Sequence, residues 1–176
     1  TKEGDWWAVF LACRPINNTF ENLGRETFLM PVKWSKDGFP YMTKAHETVP
    51  LILKRENVKR DSITTFGNFE KNELFDSSTL GLEWMTLRSA AAGLYSLTET
   101  PGYLTLKCSG VSSKEKKTPA FICRRIQHHK FECSTRMLFN PVGDSEKAGI
   151  LLFKDETHQY FFCMKNVKGQ RSVALI

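Results

Sequence analysis

The sequence predicts an all-β protein. Three observations carry that expectation. Short apolar or alternating runs recur along the chain, Gly, Pro, Asn and Asp punctuate them, and no stretch sustains a convincing helical period. The plainest punctuation is Glu99-Thr100-Pro101-Gly102, which lies between apolar runs at 94–98 and 103–107 and reads as a hairpin turn. Several short strands at such close spacing argue for a β-sandwich in the second half.

In chain order, residues 5–12 form an aromatic and aliphatic run that predicts a buried strand, ended by Arg14-Pro15 because proline donates nothing to a ladder. A polar loop follows at 17–22 and contains Asn17-Asn18-Thr19, a glycosylation-type triplet of the kind common by chance. Gly24 permits a tight entry into the next strand, which alternates over 26–32 and runs to Trp34. Ser35-Lys36-Asp37-Gly38 is a turn signal, and Phe39-Pro40-Tyr41-Met42 a short return. Two or three such strands cannot bury both of their faces alone.

From 43 to about 66 the pattern weakens, with Pro50 and basic pairs suggesting a linker and a short strand conceivable at 51–53. Residues 78–87 admit a helix, but the alternation of Leu80, Leu82 and Trp84 favours an extended segment. Further strands are expected at 120–126, at 131–139 with Phe131, Cys133, Thr135, Met137 and Phe139 on one face, at 148–154, at 158–165 and at 171–176. The organisation is therefore read as 1–45, a linker at 46–68, and a sandwich at 69–176. The chain opens on Thr1 almost within one strand and stops within another, so the natural chain is expected to extend at least upstream.

Of 176 residues, 41% are hydrophobic and 25% charged, values that suit a globular domain. No apolar run reaches about 18 residues, which excludes a membrane-spanning helix. The net charge of +6 is scattered over Lys54-Arg55, Lys59-Arg60, Lys114 to Lys117 and Arg124-Arg125 without a nucleic-acid-binding motif, so it reads as solvated surface. Five cysteines (Cys13, Cys108, Cys123, Cys133, Cys163) lack metal-ligand spacing and mostly lie in apolar runs, which predicts buried free thiols. His128-His129 on a strand would face opposite ways, and His158 has no partner at ligand spacing. No metal and no cofactor are expected. No serine nucleophile elbow, phosphate loop or dinucleotide fingerprint occurs.

The first part of the chain carries Asp5-Trp6-Trp7, Ala12-Cys13-Arg14-Pro15, Leu23-Gly24-Arg25-Glu26-Thr27, Pro31-Val32-Lys33-Trp34 and Asp37-Gly38-Phe39-Pro40-Tyr41. In this order they resemble the end of the catalytic β-propeller of glycoside hydrolase family 43, the β-xylosidase and α-L-arabinofuranosidase family. The second part carries Leu82-Glu83-Trp84-Met85-Thr86-Leu87-Arg88, Tyr95 to Leu104, Arg124-Arg125-Ile126-Gln127-His128-His129, and Lys147-Ala148-Gly149-Ile150 leading to Thr157-His158-Gln159-Tyr160. These resemble that family's C-terminal concanavalin A-like domain. The resemblance thus implies strands of an incomplete propeller blade followed by a concanavalin A-like β-sandwich, or jelly roll.

Glycoside hydrolysis needs two carboxyl groups flanking the scissile bond. The resemblance implies inversion through a water-activating carboxylate, with the catalytic residues on blades upstream, so no catalytic residue is expected in this chain. Glu26 is expected to anchor the blade, and Asp5 and Asp37 to be surface or turn residues. The resemblance assigns Arg25 to the sugar pocket as the substrate-binding residue. A cationic fork suits a vicinal diol, whereas the competing expectation is a structural ion pair with Glu26 or a neighbouring blade. Trp84, Tyr95, Tyr103 and Tyr160 could stack on sugar rings or pack the core. Xylo-oligosaccharides or arabinose-substituted substrates, an upstream catalytic propeller and a homo-oligomer are the implied partners, and neither nucleic acid nor a membrane is expected as one. That substrate class points to a periplasmic or extracellular setting, against which the odd cysteine count weighs. A stand-alone carbohydrate-binding module and a purely structural interaction domain are the alternatives.

Overall fold

The structure, a computed structural model, describes residues 1–54, 70–89 and 92–176. Among these, every regular element is a strand, and all pairings are antiparallel. The chain forms two compact units: Thr1–Glu70 with Ile126–Phe131, and Lys71–Arg125 with Glu132–Ile176. Most of the weakly patterned stretch after Pro50 lies outside the described residues. The conceivable strand at 51–53 is described, and it is not one.

In the first unit, β1 (Trp6–Cys13) pairs with β2 (Arg25–Trp34) from Trp6↔Val32 to Cys13↔Arg25. The short β3 (Pro40–Tyr41) adds to β2 opposite Lys33 and Trp34. The connection between β1 and β2 is closed by an Ile16↔Phe20 bridge, with Asn17 and Asn18 at φ 51° and 58°, a region asparagine enters more readily than most residues. Gly24 makes the entry into β2 at φ 66°. Strand alternation then sorts the side chains. Met30 is buried, while Phe10 and Phe28 pack with ring centroids 5.9 Å apart on the same face. On the other face Val9, Leu11 and Leu29 stay exposed. One face has a packed row and the other lies open.

The second unit contains β4 (Met85–Thr86) paired with β7 (Ile122–Cys123), β5 (Tyr95–Ser96) paired with β6 (Thr105–Leu106), and a three-stranded sheet ordered β10-β9-β8. That sheet comprises β8 (Lys147–Phe153), β9 (Gln159–Val167) and β10 (Gln170–Leu175). The Pro101-Gly102 hairpin forms where expected, with Gly102 at φ 76° and the Tyr103 amide donating to the Thr100 carbonyl at 3.0 Å. Its strands are shorter than the apolar runs suggest, because only two residue pairs, Tyr95↔Leu106 and Ser96↔Thr105, enter the ladder. The extended reading near Trp84 survives only as Met85–Thr86, and no helix forms at 78–87.

The strand expected at 131–139 does not form. Alternating side chains make one face apolar, but a strand also needs a ladder partner, and none pairs with this segment among the described residues. The cysteine expectation changes with it: Cys163 is buried, whereas Cys108 and Cys133 are exposed and Cys13 and Cys123 half-buried.

The core of the second unit is small, with Leu94, Leu97 and Cys163 buried and the Phe121 and Phe153 rings 5.7 Å apart. Asn166 is buried on β9 and fully used. Its amide donates to the Val142 and Pro141 carbonyls at 2.8 and 3.3 Å, and its carbonyl accepts from the Gly169 amide at 2.8 Å. Lys168 and Gly169, both at positive φ, form the two-residue turn into β10 that this right-handed strand twist favours.

Candidate functional site

The site expected from sequence lies where β1 ends and β2 begins. Arg25 is the first residue of β2, opposite Cys13, and its side chain is exposed. The turn just before it is held by the Gly24 amide donating to the Glu21 carbonyl at 3.0 Å. Glu26 follows and, by alternation, projects to the opposite face. The ion pair that competes with a ligand role for Arg25 is therefore not made with Glu26. Glu26 belongs to Arg14.

Register explains that choice. Glu26 stands opposite Ala12, and Arg14 lies two residues beyond Ala12 on the same side, the diagonal relation at which long side chains meet across a hairpin. The Arg14 guanidinium grips the carboxylate with both prongs, Nε to Oε2 and Nη2 to Oε1, each at 2.7 Å. Nη2 also donates to the Gln127 carbonyl at 2.9 Å, which brings the 126–131 segment onto the first unit. The Arg14 hydrogen bonds hold the Glu26 carboxyl below the usual carboxylate range against the opposing cost of desolvation, with smaller help from the charges of Arg14, His129 and His128. The same hydrogen bonds raise the arginine. On the other face, desolvation raises the Cys13 thiol and the Glu21 carboxylate raises it further, while the positive charge of Arg25 opposes both.

Arg25 is exposed and, among the described residues, makes no side-chain hydrogen bond or ion pair, which leaves its five donors without a protein partner. Among the described residues of the first unit, shallow hollows open at two places. One of about 510 Å³ is lined by residues that include Met30, Met42, His46 and Glu47, and one of about 540 Å³ by residues that include Trp6, Trp7 and Leu29. Neither includes Arg25. The described residues hold no cluster of three or more His, Cys, Asp or Glu side chains able to bind a metal ion. His128 and His129 stand at a bend rather than on a strand.

The aromatic candidates divide. Trp84 is occupied: its indole N–H donates to Glu73 Oε2 at 3.1 Å, Phe75 tilts against it at 5.7 Å, and the Arg124 guanidinium lies 5.3 Å over the ring. Tyr103 carries Arg136 at 5.9 Å. Tyr160 is 66% exposed on β9, next to Phe162 on the same face at 55%. Nearby, Arg88 donates to the Lys117 carbonyl and pairs with Glu156, which ties the turn after β8 to the loop before β7.

The functional residue not visible in the sequence is Arg14, which local pattern marks only as a strand stop. Pairing β1 with β2 in register would have found its contact with Glu26. The contact with Gln127, 113 residues away, left no local signal.

The structure defines an all-β protein of antiparallel strands in two compact units. The sequence profile of the β-xylosidase C-terminal concanavalin A-like domain matches residues 72–176. The chain belongs to that family, the C-terminal part of glycoside hydrolase family 43 proteins. A non-reducing-end α-L-arabinofuranosidase of Bacteroides ovatus is 37% identical over 99% of this chain and 32% of its own length. A xylosidase/arabinosidase of Butyrivibrio fibrisolvens is 30% identical over 92% of the chain and 31% of its own. Of solved structures, the Bacteroides ovatus xyloglucan PUL protein GH43B matches with a TM-score of 0.74 and 31% identity, over 99% of this chain and 34% of that one. A xylan β-1,4-xylosidase of Bacillus halodurans, at 22% identity and a TM-score of 0.78, shares the fold. The chain spans about a third of the length of the curated relatives it matches.

Proposed function

We propose that this chain is the accessory part of an exo-acting glycosidase of the β-xylosidase/α-L-arabinofuranosidase type, and that Arg25 contacts hydroxyls of the non-reducing-end sugar. Residues 1–45 are the last-blade segment of the catalytic propeller, 46–68 the linker, and 69–176 the concanavalin A-like sandwich. The observation that carries the reading is the division of labour at the start of β2. Glu26 is claimed by Arg14, so the Arg25 fork stays open to a ligand. Two parallel N–H donors on a rigid plane suit a vicinal diol, and a fixed positive charge steadies a nearby catalytic carboxylate. The general acid and the water-activating base come from blades outside the chain, and the sandwich helps shape the sugar pocket and supports oligomers.

The test is hydrolysis of aryl β-xyloside and aryl α-L-arabinofuranoside by the chain alone and mixed with an upstream propeller fragment. No turnover alone and restored turnover on mixing support the accessory reading, and turnover by the chain alone overturns it. In the active assembly Arg25→Ala is expected to cost about 2 kcal/mol of transition-state binding, roughly thirtyfold in kcat/KM. A stand-alone carbohydrate-binding role draws on one observation, the exposed Tyr160 beside Phe162. Xylo-oligosaccharide affinity lost in Tyr160→Ala would favour it.

A further inference from the structure

We infer that Arg14 is a positioning residue, whose guanidinium, held by Glu26, fixes segment 126–131 on the first unit and so sets how firmly the strand end carrying Arg25 holds its sugar. The sugar clause rests on the function proposed above. The seating of segment 126–131 stands on the Arg14–Gln127 hydrogen bond alone.

Residues on either side of 126–131 belong to the second unit, yet the segment itself belongs to the first. The hydrogen bond from Arg14 to the Gln127 carbonyl is directed at backbone, so it fixes the path of the chain rather than one side chain. The donor is itself restrained. Arg14 precedes Pro15, which confines its backbone to extended conformations. Both of its carboxylate contacts are short, and the pair is about two-thirds shielded from solvent. A guanidinium is planar, so gripping Glu26 with two prongs leaves the remaining Nη2 donor aimed in a set direction, where it meets Gln127. Lysine has the charge without the plane and cannot hold both partners in this way. The fork carries with it the bend at His128-His129, whose charges are felt at Glu26. Glu26 is bonded directly to Arg25 in the chain, so whatever displaces 126–131 loosens one wall of the strand end that presents Arg25.

The experiment uses the chain joined to its catalytic propeller, with Arg14→Lys and Arg14→Ala. Hydrogen–deuterium exchange is read over 126–131, with β8 and β9 as the internal reference, and steady-state kinetics on the two aryl glycosides. Both variants are expected to keep wild-type exchange in β8 and β9 and to take up deuterium faster across 126–131. KM is expected to rise about three- to tenfold with kcat within about twofold, the pattern of binding lost equally in ground and transition states. Should Arg14→Ala fail to fold, Arg14→Lys carries the test. Unchanged uptake across 126–131 in the folded variant overturns the proposal, as does faster uptake with an unchanged KM. Failure of Arg25 as a sugar ligand reads out separately. It appears as an unchanged kcat/KM in Arg25→Ala beside raised uptake and KM in the Arg14 variants, which still support the positioning role.

Discussion

Arg25 and Glu26 are neighbours in sequence with opposite fates, because successive side chains on a strand point to opposite faces. Glu26 meets Arg14 and loses its freedom, and Arg25 makes no side-chain hydrogen bond or ion pair among the described residues and keeps its donors. A carboxyl held below its ordinary value stabilises the fold above the unfolded-state pKa, and that contribution is lost as pH falls through the folded value. The wild-type chain should therefore lose unfolding midpoint more steeply than Glu26→Gln as pH drops below about 4.3. The difference is modest, about 0.5–1 kcal/mol, since a quarter to a third of each side chain remains solvent-exposed. Thermal unfolding of both proteins between neutral and acid pH checks this, and parallel slopes would refute it.

At the scale of elements, the terminal sheet shows what fixes a strand in place. Gly149 on β8 stands opposite Cys163 on β9, and a Cβ there would lie 2.6 Å from the Cys163 Cα and against the Phe162 carbonyl. Those are ladder backbone atoms that cannot swing aside like a side chain. Gly149→Ala is expected to destabilise the second unit by about 1–3 kcal/mol. Gly110→Ala, with open space around it, should change little. Urea midpoints of the two variants decide the matter. The segment 131–139 teaches the converse. Its residues alternate between apolar and polar, yet among the described residues it has no ladder partner and forms no strand, so pattern without pairing does not make an element.

On the scale of the whole molecule, large apolar side chains stay exposed on both units. Val9, Leu11 and Leu29 lie on one face of the β1–β2 hairpin, and Tyr160, Phe162, Val173 and Leu175 on one face of the terminal sheet. Contiguous apolar faces of this kind mark surfaces built to be covered. The blade reading assigns the first face to the neighbouring propeller blade. The chain alone is expected to bind a hydrophobic dye strongly, and an upstream propeller fragment should displace much of it. Undiminished fluorescence on mixing, with Val9→Lys behaving like the wild type, would show that the propeller does not cover that face.

The long strands were legible in sequence because their signal is local. The alternating run before Trp34, the Pro101-Gly102 turn and the apolar runs around Asp155 each write their geometry into adjacent residues. The ordered motifs likewise carried the family and singled out Arg25. Pairing was not legible, since a ladder depends on residues distant in the chain. Thus β4 joins β7, and 131–139 joins nothing described. The Arg14 fork was hidden for the same reason. Local reading made it the end of a strand, and only the tertiary fold, by bringing the Gln127 carbonyl within 2.9 Å, made it a clamp.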